Sequence, residues 1–330
     1  MMVSAAVTTR PGTFLRPGFD IMLAIPGFQD IVSTAPQHLI NGLLVGAPFA
    51  AVAVGFALIW GVVDIINLAH GEMVMLGGYV TFWTVRFIAG TGDVSLLLVL
   101  ATVPLAVIFV FVLGYIIQSA IVSRVTETDM FLTLLVTFGI SILIQQLALQ
   151  TWGANPRTIS VAFSAQSINY AGVIVPKMKF VAFIGAIALT GLLWAFLKFT
   201  RRGRAIRAVS QNPQAAALLG IDVKHTRAIT FGMSSAIAAG TGSLIATIFS
   251  LGPQMGLVYT LRSFIIVVFG GIGSIPGALI GGLALGSVEE FTAGYVGSTW
   301  TLAVSFTLLI VLLAVMPRGL FGESSSEVGE

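Results

Sequence analysis

The 330-residue sequence contains no cysteine, and only 9% of its residues are charged. The absence of cysteine excludes disulfides, thiol catalysis and cysteine-ligated metal sites. Soluble domains carry about 25% charged residues, whereas 57% of this chain is hydrophobic. The composition therefore indicates a core that lies in lipid, where helices or a closed barrel must satisfy every backbone polar group.

Motifs for hydrolysing ATP and for common enzyme chemistry are also missing. A phosphate-binding G-x-x-x-x-G-K-[ST] loop needs a lysine followed by serine or threonine, and the lysines here are followed by Met, Phe, Phe and His. Neither a G-x-S-x-G elbow nor an H-E-x-x-H helix occurs. We therefore expect a protein that is not an enzyme and that uses no cofactor and no metal. The net charge of +3 is concentrated in one loop, so we expect no nucleic-acid partner.

Long apolar segments fill most of the chain. A helix needs about 20 residues to cross a hydrocarbon core of about 30 Å, and the segments predict an all-α, polytopic transmembrane helical bundle of about 8–9 spans. Glycines interrupt residues 258–293, which predicts two short spans, one broken helix or a re-entrant hairpin there. The segments lie near residues 38–60, 70–89, 94–119, 130–150, 178–199, 226–250, 258–272, 276–293 and 299–316.

The two ends of the chain are predicted to lie outside the membrane domain. Residues 1–36 are interpreted as an N-terminal tail with an interfacial segment, because their apolar stretch is short and contains Pro26 and Asp30. The membrane domain is assigned to residues 37–317. Residues 318–330 are acidic and are predicted to be a disordered C-terminal tail.

A polar island at residues 198–231 divides the apolar segments. Five cations fall within residues 198–207, although the whole chain has only sixteen lysines and arginines. Loop cations of this density mark the cytoplasmic side of a membrane protein. We therefore predict a cytoplasmic loop at residues 200–225 and an external loop at residues 153–177.

This loop also carries the signals of its own short helix. Asn212 is suited to cap the first free N–H groups, Pro213 suits the first helical position, and Gly220 can close the end. Ala215, Leu218 and Leu219 share one face at helical spacing. We interpret the helix as a docking element for another protein; the alternative is an ordinary cationic loop.

Charged groups inside membrane spans mark function or a buried pair, and the richest cluster is DIINLAHGE. On a helix, Asp64, Asn67 and His70 can share a face, whereas Glu72 points elsewhere unless the helix breaks at Gly71. One interpretation is a polar element of a transport pathway or its gate. The other is a helix end whose polar groups lie among lipid headgroups. The H-x-E spacing of His70 and Glu72 is too weak to indicate a metal site.

A further cation, Arg262, lies inside the interrupted segment. We expect it to face the central pathway or to pair with Glu289 or Glu290. Those two acids are themselves expected at a helix end in water.

Four collinear motifs resemble the membrane permease subunits of branched-chain amino acid ABC importers. They are INLAHGEMVMLGGYV (66–80), RRGRAIRAV with NPQAAALLGID (201–222), FGGIGSIPGALIGGLALG (269–286) and VSFTLLIVLLAVMPRGLFG (304–322). The resemblance implies two ABC ATPase subunits, a second homologous permease subunit or a homodimer, an external substrate-binding protein and membrane lipid as partners. It also implies a multi-pass location in the bacterial inner (plasma) membrane.

The residue patterns and the resemblance together give two sets of candidate residues. The set that would couple to the ATPase is Arg201, Arg204, Arg207, Asn212, Pro213, Ala216, Ala217 and Gly220. The set that would lie at the pathway or gate is Asp64, Asn67, His70, Glu72 and Arg262. Two alternatives stay open at this point: a urea or short-chain amide permease of the same type, and a proton-coupled secondary carrier.

Overall fold

The computed structural model describes residues 28–90, 92, 94–125, 130–161, 166–170, 172–316 and 319–320. Within them the chain forms eleven α-helices, two short 3-10 helices and one antiparallel hairpin. The helices are α1 (Phe28–Val63), α2 (His70–Ala89), α3 (Leu96–Ala120), α4 (Met130–Trp152), α5 (Lys177–Phe199), α6 (Arg201–Gln211), α7 (Pro213–Leu218), α8 (Val223–Ile245), α9 (Met255–Gly270), α10 (Ile275–Tyr295) and α11 (Thr301–Val315). The strands are β1 (Ser167–Tyr170) and β2 (Val173–Pro176).

The described residues confirm an all-α polytopic fold but not the predicted count of 8–9 spans. Six helices are long and apolar enough to cross a membrane, and α9 with α10 makes a seventh if this bent pair is one span. The chain bends by 117° between the two helices of the pair, so the interruption predicted near residues 258–293 is present. Helix α2 has 20 residues but is not among the six, because His70, Glu72 and Arg86 lower its hydropathy.

Two helices, α1 and α8, form the centre of the bundle. In each, 94% of the most apolar 18-residue window is buried, whereas α3, α4, α5 and α11 reach only 11–28%. Small residues in α8 allow neighbouring backbones to approach closely, as in other membrane helix pairs. Gly77 of α2 shows the effect, since a Cβ there would overlap the backbone of Ala239 in α8.

The first helix begins earlier than predicted. Helix α1 starts at Phe28 and accommodates Pro36 and Pro48, so the boundary predicted at residue 36 falls inside a helix. Residues 1–27 of the predicted N-terminal tail, and residues 318 and 321–330 of the predicted C-terminal tail, lie outside the described residues.

The hairpin lies at the end of the bundle where α1 begins. The Gln37 side chain donates to the carbonyl of Ile174 at 2.8 Å and accepts from its N–H at 2.8 Å. This two-point contact ties β2 to α1. The hairpin occupies part of residues 153–177, which the sequence predicts as a loop on the side opposite the cations.

Candidate functional site

A helical elbow, defined as residues 200–222, leaves the bundle between α5 and α8. The Thr200 hydroxyl oxygen caps α6 by accepting from the Gly203 N–H at 2.9 Å. Gly203 packs against the end of α5, where a Cβ would overlap two backbone carbonyls. Ile206 and Val209 are buried in the core. One face of α6 therefore anchors the elbow to the bundle.

The other face of α6 presents cations. Arg201, Arg204 and Arg207, which the sequence places in the coupling set, are exposed. The Arg207 guanidinium also donates to the carbonyl of Leu197 at the end of α5. The exposed face of α6 is therefore strongly basic, while its opposite face is apolar.

The capped helix predicted inside the loop is confirmed as α7. The Asn212 side-chain oxygen accepts from a backbone N–H of the first turn at 2.9 Å, and Pro213 is the first helical residue. Gly220 has φ +81°, a left-handed conformation that glycine adopts without steric cost. The Ile221 N–H closes the end by donating to the Ala216 carbonyl at 3.1 Å.

Helix α7 has one buried side chain and an exposed apolar tip. Ala216 is only 2% exposed, whereas Leu218 and Leu219 are 90% and 82% exposed. Ala217 is also exposed. Ala216 therefore packs into the bundle, and Ala217 with the two leucines faces away from it.

Asp64, Asn67 and His70 do not share a helix face, because the interior polar cluster lies across a break between two helices. Helix α1 ends at Val63 and α2 begins at His70, which leaves residues 64–69 as a non-helical break. Asp64 is exposed and has φ +60°, a conformation uncommon for a residue with a side chain. The break turns the chain, so that Asp64 points outward while Asn67, His70 and Glu72 are buried.

Asn67 and His70 fix the start of α2. The Asn67 side-chain oxygen accepts from the Ala69 N–H at 3.0 Å. His70 Nε2 lies 2.9 Å from the carbonyl oxygen of Val52 in α1, to which it donates. His70 is fully buried, and Ser234 Oγ of α8 lies 3.5 Å from its other ring nitrogen. The first turn of α2 is therefore held between α1 and α8.

Glu72 connects α2 with two other helices. Its Oε1 accepts from the Ser141 hydroxyl of α4 at 3.0 Å. Its carboxylate also lies against Gly256 at the start of α9, where a Cβ would overlap it. In the same place, the Gly71 N–H donates to the Thr260 hydroxyl oxygen of α9 at 2.8 Å. The break therefore meets the beginning of α9, with the carboxylate between them.

Arg262 forms an ion pair at a separate place. Its guanidinium contacts Glu289 of α10 at 2.8 Å and 3.0 Å, and its Cζ lies 4.6 Å from the Phe49 ring centroid of α1. The Ser305 hydroxyl of α11 donates to the same carboxylate at 3.2 Å. Pairing with Glu289 is thus confirmed, while the expectation of Glu289 in water is wrong, because this side chain is buried and contacts α11.

The structure brings together only part of the predicted pathway set. Asn67, His70 and Glu72 share one cluster, whereas Asp64 is at the surface and Arg262 belongs to the ion pair with α10. The cluster also includes hydroxyl groups that the sequence did not single out, from Ser141, Ser234 and Thr260. Single hydroxyls within apolar runs carry no local signal, so only the tertiary contacts reveal them.

Membrane-length helices around a broken polar segment are typical of transport proteins, whose backbones unwind at glycine-interrupted segments along a pathway. The protein is a multi-pass membrane transport subunit. Residues 38–313 match the family described as the branched-chain amino acid transport system permease component. The chain belongs to this family.

Relatives of this family cover almost the whole chain. The high-affinity branched-chain amino acid transport system permease protein LivH of Salmonella typhimurium is 34% identical over 301 residues, covering 88% of this chain and 96% of the relative. LivH of Escherichia coli K12 is 33% identical with the same coverage. BraD of Pseudomonas aeruginosa is 32% identical over 88% of this chain and 97% of its own length. The protein is thus a permease and not an enzyme.

Proposed function

We propose that the protein is the permease subunit of an ATP-driven importer of branched-chain amino acids in the bacterial inner membrane. The family and the names of its relatives support the substrate class. The observation that carries the coupling mechanism is the exposed apolar tip formed by Leu218 and Leu219 at 90% and 82% exposure. This tip is mounted on a helix capped at both ends, beside the basic face of α6.

The tip is suited to a protein partner. Burying one leucine side chain contributes about 1.5–3 kcal/mol, so a cleft that covers both residues gains substantial affinity. The capped helix does not have to fold on binding, which reduces the entropic cost of the contact. Two separate ATPase subunits supply the energy, and each pushes or pulls one elbow.

The pathway runs beside the break at residues 64–69. His70 contacts Val52, eleven residues before the end of α1, which corresponds to about 16 Å along a helix. This distance supports a start of α2 deep inside the membrane rather than at its surface. The start of α9 lies against the same segment. Motion of the elbow shifts these discontinuous elements between outward-open and inward-open arrangements.

The orientation follows from the cations. The basic elbow lies in the cytoplasm, and the hairpin lies on the outer side, where a substrate-binding protein delivers the amino acid. A second permease subunit, either homologous or identical, completes the pathway. In the finer topology that we propose, α2 enters the membrane as well, and α9 and α10 form a broken element beside it.

The coupling proposal is tested with the double variant Leu218→Ser/Leu219→Ser in proteoliposomes that hold the full assembly. Losing two leucines that the ATPase buries in the proposed complex costs about 3 kcal/mol or more, so the affinity for the ATPase falls about 100-fold. Uptake of radiolabelled leucine and ATPase activity stimulated by the loaded binding protein are measured. Both are expected to be lost, while membrane insertion is unchanged.

The matched control is Val296→Ser, which removes a side chain 63% exposed at the opposite end of the bundle. It is expected to leave ATPase binding unchanged. Normal uptake and normal ATPase affinity in the double variant would contradict the coupling role of the tip. Leucine accumulation by the permease alone, abolished by a protonophore, would instead identify a secondary carrier.

A further inference from the structure

A groove lies on the outside of the bundle where the elbow joins it. Its volume is 430 Å³. Side chains of α3, α5, α6 and α8 line it. The apolar lining residues are Phe111, Val112, Phe196, Ile229 and Met233.

A polar network closes one end of this groove. Arg202 of α6 donates to His225 Nε2 at 3.0 Å, so this ring nitrogen is the acceptor. His225 Nδ1 therefore carries the proton and donates to the Tyr115 hydroxyl at 3.1 Å. An arginine has five N–H donors, and Arg202 is exposed. The guanidinium is therefore held in place while it retains donors for an anion.

A second cavity continues from the same residues. It has a volume of 260 Å³ and shares Arg202, His225 and Ile229 with the first, while it adds Arg201. Asp222 also lines it, and this carboxylate caps α8 by accepting from the His225 N–H at 3.0 Å. Two arginines and one engaged carboxylate leave the end of the groove with a positive charge.

We infer that this groove binds an anionic phospholipid, with the phosphodiester at Arg202 and an acyl chain along the apolar wall. The wall opens towards the membrane, since Val112 is 48% exposed on a helix whose outer surface is mostly uncovered. Arginine matches the geometry of phosphate oxygens, and basic pockets between helices on the cytoplasmic side bind anionic lipid headgroups. A free phosphate ion, by contrast, would contact the arginine but not the apolar wall.

The position of the lipid has a consequence for the elbow. Arg202 is the second residue of α6, and His225 lies in the first turn of α8. A bound headgroup therefore steadies the place where the elbow joins the bundle. This inference rests on the proposed orientation with the elbow in the cytoplasm, and it does not depend on the transported substrate.

The test is native mass spectrometry of the purified full-length permease, titrated with phosphatidylglycerol or with phosphatidylcholine of the same chain length. The protein is expected to retain phosphatidylglycerol preferentially. Hydrogen bonds to charged groups are strong enough that Arg202→Gln lowers this retention about tenfold. Met233→Trp, which fills the groove without changing the charge, lowers it as well. The control Arg86→Gln removes an exposed cation in the last turn of α2, which does not line the groove. It is expected to leave retention unchanged.

Several results would overturn the inference. Equal retention of both lipids, or an equal loss in the Arg86→Gln variant, would show that the groove has no selectivity for the headgroup. Displacement of phosphatidylglycerol by millimolar inorganic phosphate would indicate a free-anion site. Loss of the lipid when ATPase subunits are added would assign the groove to a protein interface. Because lipid retention is measured on the permease itself, failure of leucine transport leaves this result unaffected.

Discussion

The polar residues inside the bundle and those on the elbow have opposite environments. His70, Glu72 and Arg262 are each bonded to a neighbouring helix, whereas Arg201 and Arg204 are exposed on α6. The interior groups therefore hold discontinuous helices in register. The elbow groups remain accessible to a partner. Arginine thus stabilises the fold in one region, and in the other it is free to take part in the recognition proposed above.

The largest expected effect comes from the interior ion pair. Arg262→Leu leaves the Glu289 carboxylate buried without its cation, and breaking such a pair costs about 3–5 kcal/mol. We expect a clear decrease in the thermal unfolding temperature in detergent. The double variant Arg262→Leu/Glu289→Leu removes both charges and is expected to recover most of the loss. A single variant as stable as the wild type would show that the pair contributes little to the interior.

A smaller effect is expected at the break. Ser141→Ala removes the hydroxyl that donates to Glu72, and an unsatisfied buried acceptor costs about 1–3 kcal/mol. Faster amide hydrogen exchange in the first turn of α2 and a lower unfolding temperature are the measurements. The control Ser119→Ala removes an exposed hydroxyl that bonds within its own helix. If both variants behave alike, Ser141 does not hold the break.

The smallest expected effect is at the elbow. Asn212→Ala removes the cap of α7, and such caps contribute about 1 kcal/mol. Because α7 lies at the edge of the bundle, amide exchange in residues 214–218 is expected to accelerate without a change in overall unfolding. Asn212→Asp keeps a capping oxygen and is expected to behave like the wild type. Global destabilisation by Asn212→Ala would mean that the elbow is part of the core.

Local patterns predicted the helices well. The segment predicted at residues 70–89 coincides with α2, because polar residues precede it and Gly90 follows it. The cap and end of α7 were also predicted from Asn212, Pro213 and Gly220. These predictions succeed because each depends on hydrogen bonds and torsions within a few residues of the chain.

Other features were not predictable from local patterns. Asp64, Asn67 and His70 have helical spacing, yet a break forms there instead. Hydrogen bonds from Leu68, His70 and Gly71 to α1, α4, α8 and α9 stabilise it. The difference between Ala216 and Ala217 depends on how α6 folds back onto the bundle, which no spacing within α7 encodes. Assignments that need the arrangement of distant helices therefore required the structure.

The joints of the elbow have a mechanical consequence. Thr200 alone separates α5 from α6, and Asn212 alone separates α6 from α7. Each joint offers only two soft torsions, and the ring of Pro213 stiffens the second joint. The two joints can therefore absorb little of any displacement of the leucine tip. In the coupling proposed above, this displacement is passed to the transmembrane helix α5 as a rotation.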